Sequence, residues 1–110
     1  MNLVEKFLKT ADTPNVKVIE VRDIGKIGIR TLSVAEISVW NELKGGKQRT
    51  VNLIKATVVD PETHHQVFSD VADADIERLP ADISEIIVHH AVRHNGIVRD
   101  KQDQEAELKN

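Results

Sequence analysis

The chain reads as an α+β protein: a mainly helical single domain over residues 1–98, with a small N-terminal antiparallel β-hairpin and a flexible C-terminal tail over 99–110. Three observations lead there. β-Branched residues alternate with polar or small ones between Val16 and Leu32, on either side of a turn sequence. From Leu32 to Gly96, helix-start and helix-stop residues recur in order. Beyond Arg99 only Ala106 and Leu108 interrupt polar and charged residues, too little apolar surface to offset the entropy of ordering that segment.

The first helix is expected within residues 1–12. Leu3, Val4, Phe7, Leu8 and Ala11 form one narrow apolar stripe with Glu5, Lys6 and Lys9 opposite, so this helix should pack along a single face. Asp12-Thr13-Pro14-Asn15 stops it, because the residue before proline is pushed out of the helical region. A hairpin should follow over 16–32. Val16 and Val18, then Ile27, Ile29 and Thr31, keep the period of half-buried strands, and Arg22 to Lys26 supplies the turn. Two strands alone are marginal, so the hairpin must lean on helices.

Residues 33–96 read as a helical region. Ser33 and Glu36 are spaced as a capping box, opening a helix that should run to Lys44 and stop at Gly45-Gly46. Its apolar residues Val34, Ala35, Ile37, Val39, Trp40 and Leu43 spread over most of the circumference. Lys47 to Thr57 suits a helix passing into an extended segment at Val58-Val59, and Asp60-Pro61-Glu62-Thr63 is a turn. His64 to Phe68 reads as extended, with Phe68 an anchor; Asp73 to Leu79 makes one or two helical turns closed by Pro80. Asp82 and Glu85 are spaced as a second capping box, opening a helix through His94 that Asn95-Gly96 ends. Ile83, Ile86, Ile87, Val88, Ala91 and Val92 cover more than half of its wheel, while Glu85, His89 and Arg93 form a polar ridge.

Composition excludes several classes of activity. The longest apolar run is Ile86-Ile87-Val88, far short of the roughly 20 residues that span a bilayer, so no membrane partner is expected. Charge in the first turns, at Glu5 and Lys6, does not fit a secretory signal, and a cytoplasmic location is expected. The chain has no cysteine, so disulfides, thiolate metal sites and a cysteine nucleophile are excluded. A net charge of −3 with both signs interspersed is a poor match to a phosphate backbone, so no nucleic-acid partner is expected. Phe7, Trp40 and Phe68 are the only aromatic residues, which makes the core aliphatic.

No pair of residues is placed to carry out a reaction, and no catalytic residue or cofactor is assigned. His90 and His94 lie one helical turn apart and could share a zinc ion, but a site needs a third ligand and a fixed second shell; a hydrogen-bonded or pH-sensitive helix-face pair explains them without metal. Asp70, Asp73, Asp75, Glu77 and Asp82 fit no calcium-loop spacing and read as caps and solvated positions. Gly25-Lys26-Ile27-Gly28 and Gly45-Gly46-Lys47 lack the phosphate-loop pattern and read as turns. Trp40 is either a core residue or an interface anchor.

The order of pieces from Leu32 onward carries a resemblance. Leu32-Ser33-x-x-Glu36, Leu53 to Val59 leading into Asp60-Pro61-Glu62, Phe68-Ser69-Asp70, Asp75-x-x-x-Leu79-Pro80 and an apolar helix closing on Asn95-Gly96 together take up about 65 of the 110 residues. In that order the chain resembles the short tail assembly chaperones of long, non-contractile-tailed bacteriophages. The resemblance implies a non-enzymatic protein of the host cytoplasm that coats the long, helical tape measure protein, keeps it soluble and promotes tail tube polymerisation. It implies absence from the mature virion, and a longer frameshifted product whose extra domain contacts the tail tube protein; this chain would be the short form.

Surplus apolar surface on two helices points the same way, since exposed apolar patches mark contact sites. The expectation is a homo-oligomer that lays the 34–44 and 83–95 helices against copies of itself or the tape measure protein, through Val34, Ile37, Trp40, Leu43, Ile87, Val88 and Val92. Two other readings stand beside it. A small metal-dependent hydrolase would use His90 and His94, and a regulatory DNA-binding protein would use the basic cluster from Lys44 to Arg49.

Overall fold

A computed structural model describes residues 1–97; the tail expected over 99–110 lies outside the described residues. Five helices and a three-stranded antiparallel sheet make up the described fold. Helix α1 (Leu3–Asp12) starts where Asn2 accepts a hydrogen bond from the Glu5 amide at 2.8 Å. Strands β1 (Val16–Val21) and β2 (Gly25–Arg30) pair antiparallel, and Asp23 and Gly25 turn the chain between them with φ of 64° and 101°. β3 (Val58–Val59) joins the other side of β2, giving the order β1-β2-β3. Gly28 makes that sheet possible. A methyl group there would sit 2.8 Å from side-chain carbons of both Val16 and Val59.

The hairpin buries the opposite parity in β1 from the one Val16 and Val18 suggest. Pairing Ile19 with Ile27, Lys17 with Ile29 and Val21 with Gly25 turns the odd-numbered positions toward the helices, so Ile19, Val21 and Ile29 are buried and Val18 is half exposed. The segment Val16-Lys17-Val18-Ile19-Glu20-Val21 has apolar residues on both parities, and the long-range pairing decides between them.

Helix α2 (Val34–Glu42) begins on the complete Ser33–Glu36 capping box. It ends two residues before the expected Lys44, and the glycines do not close it: Gly45 is the N-cap of the next helix, α3 (Gly46–Thr57). The physical reason is Arg49, whose guanidinium reaches back to donate to the carbonyls of Leu43 at 2.9 Å and Asn41 at 3.2 Å. With its last carbonyls satisfied, α2 needs no left-handed glycine cap.

After β3, the Asp60 carboxylate accepts from the amides of Glu62 and Thr63 at 2.8 and 3.0 Å, which holds it below its ordinary pKa and fixes the expected turn. Gln66 bridges to Val59, and Phe68 packs half-buried against the core. A short helix α4 (Asp73–Ile76) follows, then α5 (Ala81–His94). The second capping box does not form. Pro80 occupies the N-cap with no side-chain hydrogen bond, and Asp82, already inside the first turn, takes both an Nε and an Nη donor of Arg22 at 2.6 and 3.0 Å. Arg22 thereby holds the Asp82 carboxyl below its usual range.

The core lies between the sheet, α3 and α5. Val21, Ile29, Leu53, Ile54, Val58, Ile76, Ile87 and Ala91 are each 3% exposed or less. Each large aliphatic side chain buried this way contributes roughly 1.5–3 kcal/mol, which is how so aliphatic a chain holds together. Asn95 closes the unit. Its side chain accepts from the Leu32 amide at 2.6 Å and donates to the carbonyls of Ala91 at 2.9 Å and Arg30 at 3.3 Å. Gly96, at φ 61°, and the Ile97 amide bonded to the Val92 carbonyl at 3.0 Å then finish α5, as the Asn95-Gly96 pair predicts.

Candidate partner-binding surface

Helix α1 has no buried residue. Its stripe faces water: Leu3 and Phe7 are 68% exposed, Val4 and Leu8 65%. The single apolar face, expected to pack onto something, is not covered by the described chain: the turn at Thr13-Pro14-Asn15 carries α1 away from the sheet-and-helix core. Four large apolar side chains on ten residues of helix are the most concentrated exposed apolar surface of the described chain.

A cleft of about 590 Å³ lies between the end of α1, at Thr10 and Ala11, and the start of α2, at Ser33 and Val34. Val34 lies at the cleft and is 87% exposed. Arg30 and Glu36 also line it as a two-pronged ion pair, and Arg30 donates further to the Thr31 carbonyl at 3.2 Å. The hydrogen bonds from Arg30 are the main reason the Glu36 carboxyl is held below its ordinary pKa, helped by the Ser33 amide. This wall of the cleft is therefore neutralised, and an apolar occupant meets no free charge from it.

Of the residues expected to meet a partner, only part lie where a partner can reach. Val34 is exposed, whereas Ile37, Trp40 and Leu43 are half-buried, with Trp40 in the α2–α3 seam. Trp40 is pinned there. Its indole N–H donates to the Arg49 carbonyl at 3.0 Å, and the Arg49 guanidinium lies 5.1 Å from the ring centroid. On α5 the expectation of surplus surface is corrected: Ile87 and Val92 are sealed in the core, and Val88 is half-buried against it. The wide apolar circumference of α5 has an internal use, since the helix packs against the sheet with one flank and α3 with another. The structure does not bring the α5 residues together with Val34. What the sequence reading missed are Leu3, Val4, Phe7 and Leu8, whose signal was the narrow stripe itself.

The remaining candidates are placed as follows. His94 directs Nε2 to the Asn15 carbonyl at 3.0 Å, and His90 meets the His89 ring edge-on at 5.5 Å between centroids. Burial, reinforced by the positive charges of Lys17, His89 and Arg93, pushes the His90 pKa down. Among the described residues, no three His, Asp or Glu side chains gather into a possible metal site. In the Lys44 to Arg49 cluster, Arg49 is folded onto α2. No described helix is long and apolar enough to cross a membrane. Comparison with protein-family models, curated proteins and solved structures gives no match to the chain.

Proposed function

We propose that this chain is a tail assembly chaperone of a long, non-contractile-tailed phage, which binds the helical tape measure protein and keeps it soluble while tail tube subunits polymerise around it. The observation that carries the reading is the uncovered stripe of α1. An amphipathic partner helix laid along Leu3, Val4, Phe7 and Leu8 is the kind of occupant such a face takes, and each of these side chains fully covered contributes roughly 1.5–3 kcal/mol. The resemblance over residues 32–96 supplies the identity of the partner. In this reading the chain works in the host cytoplasm, leaves before the virion is complete, and has a longer frameshifted form that reaches the tail tube protein.

The test is co-expression with the tape measure protein encoded beside it. The chain should move the tape measure into the soluble fraction and co-purify with it. Phe7→Glu combined with Leu8→Glu should abolish both effects while leaving the thermal unfolding midpoint in place, since those side chains carry no core contact. A tape measure protein that stays insoluble with the unaltered chain, or stays soluble with the double variant, refutes the proposal.

A further inference from the structure

We propose that the free edge of β1 pairs with β1 of a second copy about a twofold axis at Val18, joining the two three-stranded sheets into one of six strands. The argument starts from the direction of backbone groups. At the start of the hairpin the Thr31 amide donates to the Asn15 carbonyl at 2.9 Å, and at its end the Ile24 amide donates to the Val21 carbonyl at 3.1 Å. Asn15 and Val21 therefore direct their hydrogen-bonding groups toward β2. Because the direction alternates along a strand, Lys17 and Ile19 do the same, while Val16, Val18 and Glu20 direct theirs away from the sheet.

Nothing in the described chain meets those outward groups. No backbone or side-chain hydrogen bond beyond the β1–β2 ladder reaches Val16, Val18 or Glu20. The other end of the sheet differs: β3 has two residues, and Gln66 bridges to it. β1 is thus a six-residue, unbulged edge without proline inside it, the kind that pairs with another chain unless blocked.

Self-complementarity chooses the occupant. A twofold antiparallel pair must place each residue opposite one on the same face, so the axis has to pass through a residue. Centred on Val18, the pairing sets Val18 against its own copy and Val16 against Glu20 of the other chain, so all three outward residues find partners. Centred on Lys17 or Ile19, it leaves one of the three without a partner. The Val18 register also covers a valine that is 50% exposed and puts no like charges directly opposite each other. Lys17 on the helix-bearing face is exposed, so α5 does not wall off the approach. This interface uses neither α1 nor α2, and it stands or falls separately from the chaperone reading.

Sedimentation of the intact chain over a range of concentrations is the first measurement, and a doubling of mass is expected. Val18→Pro removes an outward amide but no β1–β2 hydrogen bond, and Val18→Lys adds charge at the axis; both should stay monomeric with the circular dichroism of the unaltered protein. The chain has no cysteine, so Val18→Cys gives a clean third arm. Mild oxidation should link Val18→Cys into a disulfide dimer far faster than Lys26→Cys, on the strand away from this edge. The Phe7→Glu and Leu8→Glu double variant should dimerise as the unaltered chain does. A protein that remains a monomer throughout, a folded Val18→Lys variant that still dimerises, or equal cross-linking at the two cysteine positions overturns the proposal.

Discussion

Exchanging Ile87 and Phe7 for alanine, one at a time, separates apolar surface that holds this fold from apolar surface that does not. Ile87 is 3% exposed at the centre of α5 and Phe7 is 68% exposed on α1. Ile87→Ala removes buried methyl groups and leaves a cavity, at a cost of about 2–5 kcal/mol. That is a large share of the roughly 5–15 kcal/mol that holds a small domain folded. With a urea slope of roughly 1–3 kcal/mol per molar, the unfolding midpoint should fall by about 0.7 M or more. Phe7→Ala should change stability by no more than about 0.5 kcal/mol, a shift hard to distinguish from zero. Urea titration followed by circular dichroism at 222 nm reads both variants. If Phe7→Ala lowers the midpoint as far as Ile87→Ala does, α1 is packed in solution and the proposed partner surface is wrong.

Two further outcomes follow from polar contacts. Asn95→Ala deletes three hydrogen bonds, leaving the Leu32 amide and the Arg30 carbonyl short of a partner in a half-buried site; a loss of about 2–3 kcal/mol is expected, read as a lower thermal midpoint, and an unchanged midpoint would show that water replaces the side chain without cost. Glu36 is held below its ordinary pKa chiefly by Arg30, so it contributes stability that is fully present above the unfolded carboxylate value, about 4.3, and is lost as pH falls through the lower folded value. Glu36→Gln should be less stable than the parent at neutral pH and should lose less on acidification across that window; urea midpoints measured at each pH that run parallel for the two proteins would contradict this.

Local chemistry was the legible part of this chain. The Ser33–Glu36 box, the Asp60 turn and the Asn95-Gly96 stop rest on residues a few positions apart, and each forms as its spacing says. What failed depended on a competing side chain, distant or near, that the spacing does not reveal. Asp82 has the spacing of a cap but is claimed by Arg22, sixty residues earlier, and Gly45-Gly46 has the composition of a stop but is relieved of that task by Arg49. The parity of β1 could not be read because Val18 and Ile19 are both good strand residues, and only the pairing with β2 says which faces inward. The candidate surface failed for a related reason. A helical wheel counts apolar residues without saying how many neighbours share them: α5 has two inside the fold, and the modest stripe of α1 has none. A sequence pattern records that a face is greasy, and topology decides who covers it.

Trp40 gives the molecule a built-in optical gauge. It is the sole tryptophan, wedged in the α2–α3 seam with its N–H on the Arg49 carbonyl and a guanidinium beside its ring. Prising α2 from α3 hydrates the indole and withdraws the cation, so emission shifts toward longer wavelength. Binding confined to α1, or strand addition at β1, touches none of these groups and leaves the spectrum still. A plain fluorescence trace therefore reports on one seam of the fold, without a label, in any mixture whose other components lack tryptophan.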